Sequence, residues 1–292
     1  MLAPAPRGLS GRFLRWMVRP KLVCRPARSP CGETQHFRGC GLSYRNWHAR
    51  PGPMKAMPLF AFASLAPLPL FALGLWLGGA WVWAVFLYMV VFVALLDQVI
   101  PYVASDAPEG AEFPAADALL VAVAVGHLVA FPLAVWGIAG ASGLSPLARA
   151  GVFLGCGLWF GQVSNPVAHE LIHRGNRWLF RLGALVYVTM LFGHHTSAHR
   201  HVHHRYAASH EDPNSARMGE GFYAFFSRAW LGSFIQGWHA ENTRRKGLHP
   251  YVWYVGGGVM ALACGAVLAG QWGVLAWGAL ALHAQVDRKS VV

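Results

Sequence analysis

From Pro58 onward, long apolar runs alternate with short polar stretches. Residues 58–78 and 80–102 are each long enough to cross a bilayer, which takes about 20 mostly apolar residues. A Gly78-Gly79 turn joins them. An acidic loop, 103–117, follows and carries Asp106, Glu109, Glu112 and Asp117. Residues 118–140 predict a third span and 148–168 a fourth. A fifth runs over 250–270, and a sixth begins near Gln271 and is expected to be cut short by Asp287-Arg288-Lys289. In lipid every backbone group must be satisfied within its own segment, so these runs are read as helices. The fold class expected is an all-α integral-membrane protein, a six-helix transmembrane bundle with the sixth helix incomplete. Residues 182–193 are apolar but too short to cross, and are expected to lie at the interface or to re-enter. Residues 169–181 and 194–249 are polar and basic.

Composition agrees with this pattern. Only 12% of the 292 residues are charged, against about 25% in soluble domains. The formal net charge is +12, and basic residues flank apolar segments, which points to membrane orientation rather than nucleic acid. Lys55 precedes the first span, and the basic stretch 169–249 follows the fourth, so both fall on one side, read as cytoplasmic. Residues 1–56 are Arg- and Pro-rich without periodicity. A transit peptide, a solvated basic arm and a start placed too early, with Met54 or Met57 as the true one, all fit this leader, and the last is preferred. Cys24, Cys31 and Cys40 lack the close spacing of a zinc site, and Cys156 and Cys264 sit in apolar runs.

The chemistry concentrates in histidine. Nine of the 15 histidines fall between residues 169 and 210. His169 and His173, in His169-Glu170-Leu171-Ile172-His173, share one helical face. His199 and His203 repeat that spacing, and His204 follows directly. Neighbouring helical side chains diverge by about 100°, so an adjacent pair can serve two metals. H-E-x-x-H is also the zinc-protease motif, with Glu170 as general base, and imidazole suits both zinc and iron.

The first cluster, followed by Arg174, resembles the first histidine box of the alkane 1-monooxygenases. His199-Arg200-His201-Val202-His203-His204 is similar to the second box, with Ala198 in place of the family's Glu and Val202 in place of its Gly. Glu211-Asp212-Pro213-Asn214-Ser215-Ala216-Arg217 resembles the family's E-D-P-A-S-A-R, and Gly219-Glu220-Gly221-Phe222-Tyr223 continues the likeness, which covers residues 57–286. Leu282-His283-Ala284-Gln285-Val286 looks like the approach to a third box, N-Y-x-E-H. That box and a fourth, H-x-x-H-H, are absent, so four of nine expected ligands are missing and 287–292 is expected to be a foreign tail.

The resemblance implies a cytoplasmic-side centre of two non-haem iron ions. His169, His173, His199, His203 and His204 would be ligands, with Glu170, Glu211 and Asp212 as possible outer carboxylates. His194, His195, His201 and His210 match no ligand and are either outer donors or spectators. The implied reaction is O2-dependent hydroxylation of medium- or long-chain n-alkanes to primary alcohols in a bacterial inner membrane. The alkane would enter from membrane lipid. Electrons would come from a rubredoxin-type carrier and an NAD(P)H-dependent reductase, docked on Arg205, Arg217, Arg228, Arg244, Arg245 and Lys246. No nucleic-acid partner is expected. Trp76, Trp81, Trp83 and Trp159 are read as packing, with interfacial anchoring or a channel as alternatives. Rival functions are another membrane di-iron enzyme such as a desaturase, an intramembrane zinc protease, and a metal transporter. The transporter is disfavoured because the first three spans hold only Asp97 and His127.

Overall fold

A computed structural model describes residues 56–92, 94–95, 116–244 and 247–289, all within the unit His48–Val292. The leader (but for Ala56), Lys55, Asp97, the acidic loop up to 115, Arg245, Lys246 and the last three residues of the expected tail lie outside the described residues.

The described residues are helical, with no strand among them. Helices α1 (Ala56–Leu65) and α2 (Pro67–Leu77) together form an apolar segment whose Phe60–Leu77 stretch is long enough to cross a membrane. The expected turn follows. Gly78 and Gly79 have φ of 63° and 54°, a left-handed conformation that costs glycine little. The chain folds back through a 3₁₀ turn (Gly79–Trp83) into α3 (Ala84–Leu87), so that Gly74 lies against the backbone of Trp81 and Val82. Helix α4 (Ala116–Ala139) supplies the third expected span. Helix α5 (Pro146–Trp159) is N-capped by Ser145, whose hydroxyl accepts from the Ala148 N–H. It continues through a π-turn (Phe160–Ser164) into α6 (Asn165–Ile172).

Helix α7 (Arg177–Thr189) takes in residues 182–189 of the short apolar run 182–193. The segment runs inward against the bundle, with Tyr187, Met190 and Phe192 buried. His127 from α4 holds Thr189 Oγ1 at 2.9 Å, and its other ring nitrogen meets Ser164 Oγ at 2.6 Å. The chain then forms α8 (His195–Ala198), a π-turn (His199–His203), the single turn α9 (His204–Tyr206) and the long α10 (Phe222–Arg244).

The last helix, α11 (Pro250–Lys289), breaks at Ala269 and Gly270, where Gly270 has φ 58°. Its two legs fold against each other, bringing Gly273 onto the Gly265 carbonyl. This is the expected junction of spans five and six. The candidate membrane span ends at Val286, just before Asp287-Arg288-Lys289, and the helical backbone runs on to Lys289. Charged side chains at a helix end do not break it, because they leave its backbone ladder intact.

Among the described residues three helices, Phe60–Leu77, Ala116–Ala139 and Pro250–Val286, are long and apolar enough to cross a membrane. The tryptophans divide. Trp159 is buried and donates Nε1 to the Ser64 carbonyl at 3.0 Å, and Trp83 packs edge-on against Phe86. Trp76 and Trp81 are exposed beside the Gly78-Gly79 turn, where interfacial anchoring suits them better than packing.

Candidate metal centre

The two histidine clusters come together. His169, on α6, and His173, at its C-cap, keep the one-turn spacing, with ring centroids 4.8 Å apart. His199 Nε2 lies 2.7 Å from His169 Nε2, 3.0 Å from His173 Nε2 and 3.0 Å from His204 Nε2. Among the described residues, His169, His173 and His199 form a group that could hold a metal ion, and His204 reaches it through His199.

As a hydrogen-bond network this arrangement is poor. A neutral imidazole carries one N–H, so His199 Nε2 cannot satisfy three facing nitrogens. As a donor set it fits a metal. Ligands about 2.1 Å from a common ion at right angles lie about 3.0 Å from each other, close to the spacing found. Burial, together with the neighbouring His169, His204, His173 and His203, pushes the His199 imidazolium pKa down to about 2. The His173 pKa is also lowered, by burial first and then by His204, with Arg200 contributing and Glu170 opposing. Neutral imidazole is the ligating form.

The π-turn decides which second-cluster histidines meet the first. In a regular helix His199 and His203 would align. Here the His204 N–H reaches back to the His199 carbonyl, the i→i+5 bond of a π-turn, and His204 swings onto His199's face, with centroids 4.5 Å apart. The sequence contains no signal for this turn. His203 still stacks on His199, with ring centroids 5.2 Å apart, while its ring lies 6.1 Å from that of His204. Its Nδ1 lies 2.7 Å from Asp212 Oδ2, a contact that orients the ring and leaves Nε2 as the lone-pair donor.

Asp212 is 1% exposed. It also accepts from Ser215 Oγ at 2.6 Å and from the Asn214 N–H at 2.9 Å. Of the other carboxylates, Glu170 is exposed and reaches only its neighbour, His169 Nδ1, at 3.5 Å, while Glu211 is exposed. His195 stacks on Phe192 and lies 5.3 Å from the His199 ring, and His194 packs edge-on against Trp230. His201 faces Glu241 at 3.5 Å, and His210 is exposed. Sequence reasoning passed over Glu241, which is 2% exposed and accepts from Ser197 Oγ at 2.6 Å. Its only sequence signal is that it is the one acid of helix α10.

The expected docking patch loses a member. Arg228 is taken up by Glu220 at 2.6 and 2.7 Å and by the carbonyls of Pro213 and Ser215 at 3.0 Å. Arg205, Arg217 and Arg244 are exposed.

Known proteins carry the same pattern. The fatty acid desaturase family model matches residues 142–286. Alkane 1-monooxygenase 2 of Pseudomonas aeruginosa is 26% identical over 185 residues, which is 60% of this chain and 48% of that protein. The alkane 1-monooxygenase of Ectopseudomonas oleovorans is 32% identical over 130 residues, 44% of this chain and 31% of that one. The xylene/toluene monooxygenase hydroxylase component of Pseudomonas putida is 34% identical over 110 residues, 36% and 29% of the two chains. The match to the desaturase model goes with helices long and apolar enough to cross a membrane and with the cluster of His169, His173 and His199. Among the named relatives, the chain is similar above all to alkane 1-monooxygenases. It spans less than half the length of these relatives.

Proposed function

We propose that the chain holds two non-haem iron ions and serves O2-dependent hydroxylation of medium- and long-chain n-alkanes to primary alcohols. His169, His173, His199 and His204 face one metal position. His203, diverging from His204, reaches toward a second. The bound iron pair supplies the activation of O2. The chain's own residues hold the imidazoles neutral, fix the His203 tautomer through Asp212, and surround the site with an apolar bundle that admits substrate from lipid. The polar segments 169–181 and 194–249 lie on the cytoplasmic side of a bacterial inner membrane in a multi-pass arrangement. A rubredoxin-type carrier, fed by an NAD(P)H-dependent reductase, docks beside them on Arg205, Arg217 and Arg244.

The observation that carries this reading is the approach of three imidazole nitrogens to within 3.0 Å of His199 Nε2, in a chain related to alkane 1-monooxygenases. The test is metal content and product formation in membranes, for the parent and for His169→Ala and His199→Ala. Iron should copurify with the parent and fall in both variants, with loss of octanol formed from octane. Stoichiometric zinc without O2 uptake would favour the zinc-protease reading instead. The likeness to the xylene/toluene enzyme supports a second substrate reading, a methyl group on an aromatic ring, and xylene in the same assay separates the two.

A further inference from the structure

A cavity of about 1030 Å³ opens between α7, α10 and the first leg of α11. Its volume is at the upper end of the roughly 300–1,000 Å³ usual for small-molecule sites. It is separate from the metal centre. Thr196, Ser197, Arg200 and His201 line it, and none of the five candidate ligands borders it.

The cavity has both charged and apolar lining. Pro250 begins a candidate membrane span and lines the cavity, and Met260 lines it ten residues further along that span. At 1.5 Å per residue this is about 15 Å deeper, half the hydrocarbon thickness of a bilayer. Leu185, Val188 and Trp253 supply further apolar wall. Arg181 and Arg200 line the cavity as well. The Arg200 guanidinium lies over the Phe180 ring at 5.0 Å and that of Arg181 over Trp178 at 5.2 Å, so both sit by the first turns of α7. Among the described residues neither is paired with a carboxylate. The one carboxylate lining the cavity, Glu241, is buried and engaged by Ser197.

We propose that this cavity seats an anionic phospholipid of the surrounding membrane, with its phosphate on Arg181 and Arg200 and one acyl chain along Val188, Trp253 and Met260. Guanidinium groups recognise phosphate through paired N–H donors. An apolar wall running from the membrane boundary into its core matches the lipid's own polarity gradient. Such a lipid would rest against the segment that carries His199 and His203, and would support it from the membrane side.

The test uses the purified chain in mixed detergent–lipid micelles, with phosphatidylglycerol or phosphatidylcholine brominated on the acyl chain. The Trp253 signal is taken as the difference between the parent and Trp253→Phe. Phosphatidylglycerol should quench Trp253 at about tenfold lower mole fraction than phosphatidylcholine, because each basic residue near the surface contributes on the order of 1 kcal/mol toward anionic lipid. The double variant Arg181→Ala/Arg200→Ala should remove that preference. Gly256 lines the cavity, and a Cβ there would meet open space, so Gly256→Leu should fill the cavity and remove the preference with the charge unchanged. Equal quenching by both lipids in the parent would overturn the proposal, since ordinary boundary lipid does not discriminate. A preference that survives loss of both arginines would overturn it as well, leaving only the general attraction of a basic protein.

Discussion

At the scale of single residues, the site depends on imidazoles held neutral and aimed. Asp212 does the aiming for His203. Asp212→Asn keeps the shape but removes the charge that fixes the Nδ1–H tautomer, and metal affinity is expected to fall about 10- to 100-fold, measured by competition with a chelator. Removing Ser215 Oγ, which also bonds Asp212, should have a smaller effect in the same direction. Acid acts on His199 directly. Its folded pKa lies near 2, below the ordinary 6.5, so in the metal-free protein the unfolded chain takes up a proton first as pH falls. Stability is therefore unaffected by this group above pH 6.5 and declines progressively below it. Denaturant midpoints of the metal-free chain at pH 7.5 and 5.5 should differ in that sense, and the difference should shrink in His199→Gln, with His173 supplying part of what remains. The pairing of His169 with His173 was legible in the sequence, because one-turn spacing on an α-helix is arithmetic. The meeting of His199 with His204 was not, because the π-turn at His199–His203 shifts the register by one residue and no residue type announces it.

At the scale of elements, the loop carrying Asp212 has no regular structure of its own and is held from α10. Arg228 grips it at Glu220, Pro213 and Ser215. The Arg228 side chain first, with Arg217 assisting, pulls the Glu220 pKa down to about 2, so this ion pair persists through the usual carboxylate range and is lost only as pH falls toward 2. Arg228→Lys keeps the charge but cannot span two carboxylate oxygens and two carbonyls at once. It is expected to loosen residues 211–220, seen as faster amide hydrogen exchange there, and to weaken metal binding through Asp212. If exchange in the loop is unchanged in Arg228→Lys, the clamp does not hold it. The sequence placed Arg228 among solvent-facing cations, which is the ordinary fate of a basic residue on a polar helix. Only the folded loop shows that Glu220, eight residues away, and two backbone carbonyls are its partners.

At the scale of the whole molecule, the helical segments were legible because apolar runs of membrane length have few alternatives, and the Gly78-Gly79 turn was legible because few other residues suit it. The packing of the segment after α7 was not, since its role comes from contacts distant in sequence. The second leg of α11 donates Trp277 Nε1 to the Thr189 carbonyl and Gln285 Nε2 to the Met190 carbonyl, both at 2.8 Å, and Gln285 also accepts from Trp230 Nε1 at 2.9 Å. These bonds fix the chain just ahead of His194 and His195, so the fold-back of α11 supports the second histidine segment. That fold-back depends on glycine: a Cβ on Gly273 would collide with the Gly265 backbone, whereas one on Gly278 would meet open space. Gly273→Ala should therefore destabilise the protein by about 1–3 kcal/mol, as overpacking generally does, while Gly278→Ala should be neutral or slightly stabilising. Thermal melts in detergent compare the two directly. If the fold-back supports the metal centre, Gly273→Ala should also lower metal retention at temperatures well below its melt. Equal retention in the two variants would mean that the legs of α11 close the bundle without bearing on the site.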